Sequence, residues 1–156
     1  MANESVFKYG TAKTLANANG AAITNNQLSA AAGTLYSQTD TLDYPDAVFV
    51  WAGATGSSFG GTPTAGSTLD LFIRPLDING TTDQPAPETG SLTDAYKGQY
   101  IGSFVLKASS AAGNTYRCVG YDIPRAGEAY VFNNATGQSV TANWTLIMTP
   151  RTVGPA

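Results

Sequence analysis

The 156-residue chain has no histidine and only one cysteine. Without histidine, Ser-His-Asp and Cys-His nucleophile systems are excluded, and the commonest zinc ligand and general base are missing. Cys118 alone can neither close a disulfide within the chain nor build a thiolate metal cluster. Charge is scarce as well: 12% of residues are charged, against about 25% in soluble domains generally. The eight basic residues, Lys8, Lys13, Arg74, Lys97, Lys107, Arg117, Arg125 and Arg151, are scattered, and the net charge is −3. Phosphate binders cluster such residues, so no nucleic-acid partner is expected. No apolar run approaches the roughly 20 residues of a membrane-spanning helix. No basic and then apolar leader follows Met1. The expectation is a protein made and kept in a cytoplasm, or in a particle assembled there, without a membrane partner.

What fills the space left by charge is Gly, with 17 copies, together with Ala, Thr, Ser and Asn, while aromatic residues make up 10%. Charged side chains keep a free surface wet and are depleted where surface is buried against a partner. This composition therefore points to a subunit of an assembly. The charge is also uneven. Eight acids between Asp40 and Asp94 face Arg74 alone, whereas from Ala95 onward five basic residues face Asp122 and Glu128. The two halves neutralise each other within one domain or across neighbouring subunits.

Other chemistry is equally thin. Eleven acidic residues include no pair in a setting recognisable as that of a glycosidase. Gly53-Ala-Thr-Gly-Ser-Ser-Phe-Gly-Gly61 lacks the Lys-Ser/Thr ending of a phosphate loop and reads as a strand connection. Neither Asp77-Ile-Asn79 nor the stretch from Asp40 to Asp46 has EF-hand spacing. No catalytic residue, metal or cofactor is expected. Cys118 sits in a strand-like run and reads as a buried, inert thiol.

Residues 1–33 differ from the rest. Apart from Val6-Phe-Lys-Tyr9 they are mostly Ala, Asn, Thr and Gly, and read as an N-terminal arm, extended or partly helical, held by something outside its own domain. Asn25 and Asn26 could cap a short helix running through Ala32. Deleting the arm is expected to leave the remaining domain folded.

Residues 34–156 read as an all-β, two-sheet β-sandwich, jelly-roll-like, with about seven or eight strands. Ala47-Val-Phe-Val-Trp51 is a short apolar run. Thr68-Leu-Asp-Leu-Phe-Ile-Arg74 puts Leu69, Leu71 and Ile73 on one face, with Asp70 and Arg74 toward water. Phe104 pairs with Leu106, Val119 and Tyr121 with Ile123, and Trp144 with Leu146 and Met148. Glu128 to Asn133 is another run, closed by a turn at Asn133-Asn-Ala-Thr-Gly137. Pro45, Pro63, Pro124 and Pro150 mark strand ends, and Pro75 breaks the run from Thr68.

Trp51 and Trp144 read as core, while Tyr36, Tyr44, Tyr96, Tyr100 and Tyr116 could face a sugar or a protein. The 77–99 stretch, stiffened by Pro85 and Pro87, reads as a contact loop. Phe7 and Tyr9, with Lys8 between them, are candidate anchors into a neighbouring subunit; Pro85, Pro87 and Tyr96 complete the candidate contact set.

The runs Tyr100-Ile-Gly-Ser-Phe-Val-Leu, Tyr130-Val-Phe-Asn-Asn and Trp144-Thr-Leu-Ile-Met-Thr-Pro-Arg, behind an Ala/Asn/Thr/Gly-rich leading segment, complete the picture. In style, across its whole length, the chain resembles the small virion proteins of tailed bacteriophages, above all the jelly-roll head-decoration (cement) proteins. The resemblance implies a non-enzymatic homo-oligomer, often a trimer in that family, that binds the major capsid protein on the outside of a shell. The alternative is a carbohydrate- or receptor-binding module of a tail or fibre, with Trp51, Tyr96 or Tyr100 as its platform.

Overall fold

The computed structural model describes residues 5–16, 18–30, 35–37, 44–75, 90–91, 99–124 and 126–155. These residues form two antiparallel sheets, and no helix occurs among them. The strands are β1 (Ser5–Tyr9), β2 (Lys13–Ala16), β3 (Gln27–Leu28), β4 (Leu35–Ser37), β5 (Asp46–Ala52), β6 (Thr68–Pro75), β7 (Gly90–Ser91), β8 (Gln99–Val105), β9 (Thr115–Gly120), β10 (Ala126–Asn134) and β11 (Thr145–Pro155). In the first sheet β11 is central: β5 lines one side, with β9 beyond it, and β2 and β1 share the other. The second runs β7-β3-β10-β6-β8, with β4 also on β10.

Alternation along the strands builds the core between the sheets. Phe49 and Trp51 from β5, Leu69, Leu71 and Ile73 from β6, Phe104 from β8, Val131 from β10, and Leu146 and Met148 from β11 meet there, with Trp144 just before β11. The Trp51 ring packs on Phe59 and Tyr116, with centroids 5.8 Å and 5.9 Å away. The two tryptophans and the Trp144–Leu146–Met148 and Phe104–Leu106 alignments are buried as the pattern required.

The leading segment is different from the expected arm. Residues 5–16 run antiparallel along β11, and Leu15, Ala16, Ile23 and Leu28 are buried. Among the described residues, this segment thus supplies one flank of β11 and part of the core. No helix follows Asn25 and Asn26 among the described residues. Instead their side chains cap a remote turn: Asn25 Oδ1 accepts from Gly137 N–H at 2.9 Å, and Asn26 Oδ1 from Ala135 N–H at 2.9 Å. Both residues serve as turn caps, but for another part of the chain.

Four further expectations need correction. Asp70 and Arg74 do lie on the face of β6 opposite Leu69, Leu71 and Ile73, yet both are buried, because Ser103, Asn134 and Glu128 satisfy them. Val119, Tyr121 and Ile123 do not share a face, since β9 ends at Gly120 and the chain turns: Tyr121 is exposed and Ile123 buried. Tyr44 and Tyr116 are buried and present no ring to a ligand. Pro150 lies inside β11, opposite Ala47. Its carbonyl accepts from Gly10 N–H at 2.8 Å, so its missing N–H falls on the same side, at the end of the β1 ladder, where the one bond forgone is the return bond to the Gly10 carbonyl.

Candidate functional site

The outward positions of an antiparallel sandwich sheet are usually polar. On the first sheet they are mixed, with apolar residues set among Asp46, Arg117, Thr149 and Arg151. The register places Val48 and Val50 of β5, Ile147 of β11 and Val119 of β9 side by side on the outer face, all half-buried. The pattern carried a signal of this, since Ala47-Val-Phe-Val-Trp51 is apolar at both parities. The sequence reading nonetheless left these valines out of the candidate set.

Beside this stripe, β1 and the end of β11 form a two-stranded ribbon. β5 pairs β11 only as far as Arg151, whereas β1 continues along it to Pro155. Phe7 faces Val153 and Tyr9 faces Arg151 across the ladder, which sets all four on the outer face. Phe7 is 54% exposed, Tyr9 57%, Val153 55% and the nearby Tyr121 63%. The Arg151 guanidinium carbon stands 4.5 Å from the Phe7 ring centre and 5.7 Å from that of Tyr121, and Nη2 lies 3.9 Å from Asp46 Oδ2. Arginine held between two rings and a carboxylate covers apolar surface while its charge is matched. Lys8 lies on the opposite face of the ribbon, over Gly154.

The second sheet carries an aromatic row on its outer face. Tyr130, Phe72 and Tyr100 are successive partners across β10, β6 and β8. Tyr130 is buried, with Leu28 and Phe132, whereas Tyr100 is 56% exposed and meets Phe72 edge-on at 5.6 Å. Next to it the Tyr100 hydroxyl and Ser103 Oγ share a hydrogen bond of 2.8 Å. Ser103 donates to Asp70 Oδ1 at 2.6 Å and Asn134 Nδ2 to Asp70 Oδ2 at 2.9 Å. The Tyr130 hydroxyl donates to Glu128, which also pairs with Arg74. Burial, reinforced by that carboxylate, pushes the Tyr130 phenol up to about 12.

Of the expected contact residues, Phe7, Lys8 and Tyr9 come together on the ribbon, while Pro85, Pro87 and Tyr96 lie outside the described residues. Trp51 is buried and cannot serve as a sugar platform. Cys118 packs against the core, and desolvation raises its thiol to about 12, which keeps it protonated and unreactive at neutral pH. Among the described residues no three His, Cys, Asp or Glu side chains gather as metal ligands. No protein-family model, curated protein or solved structure matches the chain.

Proposed function

We propose that this chain is a non-enzymatic virion structural subunit that docks on the outer surface of a capsid and stabilises the shell. The observation that carries this reading is the outer face of the first sheet, where Phe7, Tyr9, Tyr121 and Val153 are exposed together at its Arg151 end and a valine and isoleucine stripe continues the face between Thr149 and Arg117. Rigid aromatic anchors gathered about an arginine suit a protein surface. Many weak contacts repeated over a shell would sum to firm attachment. The major capsid protein as partner comes from the family resemblance. A jelly-roll topology belongs to the same reading: strands β2-β11-β5-β9 opposite β4-β10-β6-β8 follow the double Greek-key order of such folds, which supports it.

The test is co-sedimentation with shells assembled from the major capsid protein of the same virus. The wild-type chain should saturate the shells, and Phe7→Ala with Tyr9→Ala should weaken binding at least about tenfold with an unchanged melting temperature. Absence of binding, or equal binding by the double variant, overturns the reading.

A second reading, a glycan-binding module of a tail or fibre, is favoured by one observation: the exposed Tyr100 ring beside the Asp70, Ser103 and Asn134 polar groups. A sugar's apolar face stacks on such a ring while its hydroxyls meet the polar row. Glycan-array binding abolished by Tyr100→Ala would establish it, and a silent array would remove it.

A further inference from the structure

The geometry points to self-association of this chain through the free edge of β1. Among the described residues β1 has a single strand partner, β11, and each of its five residues is exposed. Which backbone groups remain open follows from one hydrogen bond. Gly10 N–H donates to the Pro150 carbonyl in the same register that pairs Tyr9 with Arg151. Ladder bonds in an antiparallel pair fall on alternate residues. They therefore join Lys8 to Thr152 and Val6 to Gly154, and the N–H and C=O of Ser5, Phe7 and Tyr9 point away from β11. Proteins usually guard such an edge with several charges, a proline or a bulge. Here the strand is Ser-Val-Phe-Lys-Tyr, with Lys8 its only charge.

The occupant that fits is a second copy of the same strand. The open groups are symmetric about Phe7, so a two-fold axis there pairs Phe7 with its counterpart and Ser5 with the other chain's Tyr9, with reciprocal bonds at each. The same register sets Lys8 opposite the other chain's Val6, so no lysine meets a lysine. Phe7 and Tyr9 of both copies then form one aromatic stripe on the outer face. This rests on the same ribbon as the proposed function but uses its edge and its opposite face. The contact is isologous, giving a dimer and no larger ring. Since a short edge buries less than the roughly 1,200 Å² of a stable interface, association is weak, in the micromolar range.

Sedimentation velocity of the full chain at low salt, from about 1 to about 500 μM, tests it. The expected result is a monomer–dimer equilibrium. Val6→Lys, which places like charges opposite each other on the ribbon's far face, should weaken the dimer at least about tenfold, and salt should restore part of it. Val6→Glu, which pairs with Lys8 of the second copy, should tighten it several-fold at low salt only. Phe7→Pro removes an outward N–H without touching the β1–β11 ladder and should abolish it. A wild-type chain that stays monomeric, a trimer, or a dimer indifferent to the charge at position 6 overturns the inference. Because Val6 points to the face opposite Phe7 and Tyr9, the two readings separate: a Val6→Lys chain that is monomeric yet still binds shells supports both, and a wild-type dimer that does not bind shells overturns docking alone.

Discussion

Trp144 and Ala21 are joined by a hydrogen bond: the indole N–H donates to the Ala21 carbonyl at 2.8 Å. The same ring occupies the space that a Cβ at Gly20 would need, and Gly20 and Asn143 are tied by a backbone bond of 2.7 Å. The leading segment is thus locked to the body just before β11. Gly20→Ala forces the ring or the backbone aside and should cost about 2 kcal/mol in urea unfolding. Trp144→Phe should cost more than Trp51→Phe, because the Trp51 indole N–H is buried without a partner and its removal relieves a desolvated donor. Equal losses at the two positions would contradict this.

Asn133 ties the turn to the same segment. Its side-chain amide donates to the carbonyls of Ile23 at 3.1 Å and Gln138 at 2.7 Å, and its oxygen accepts from the Thr136 hydroxyl. Asn133→Leu leaves these groups unmatched and should destabilise the protein by about 3 kcal/mol, read from the denaturant midpoint.

Glu128 holds two buried partners, Arg74 and the Tyr130 hydroxyl. Glu128→Ala should cost about 3 kcal/mol because the buried Arg74 guanidinium and Tyr130 hydroxyl both lose the Glu128 carboxylate. The double variant Arg74→Met with Glu128→Met should recover most of that loss. A double variant no better than the single one would show that the pair is not the source of the penalty.

Stability should fall at alkaline pH. Cys118 and Tyr130 have ordinary values of 9.0 and 10.0, and both are raised to about 12 in the fold. A group raised in this way contributes fully below its unfolded value and loses that contribution as pH climbs to the folded one. Urea midpoints should hold steady to about pH 9 and then decline toward about pH 12. Cys118→Ala should shrink the earlier part of the decline, and a thiol reagent at neutral pH should label the protein only after unfolding.

The strands of the body were legible because their order is local. Leu69, Leu71 and Ile73 alternate, and Trp144, Leu146 and Met148 do likewise. The leading segment was not, because its partners lie at the far end of the chain. Nothing in Lys13-Thr-Leu-Ala16 says strand until β11 lies beside it, and Asn26 caps a residue 109 positions away. The outer faces were misread for a related reason. Composition signalled a surface poor in charge, and Phe7 and Tyr9 stood out, but only cross-strand register sets Val48, Ile147 and Val119 on the same face. Asp70 and Arg74 looked solvated because their neutralising neighbours come from β8 and β10.

Ser5 and Pro155 sit opposite each other at the end of the ribbon. Tension applied through the two ends would therefore load the β1–β11 bonds one after another, as a zipper opens, and not all together in shear. The chain should yield first at this seam under small forces, peeling β1 from its neighbour while the rest of the sandwich keeps its shape.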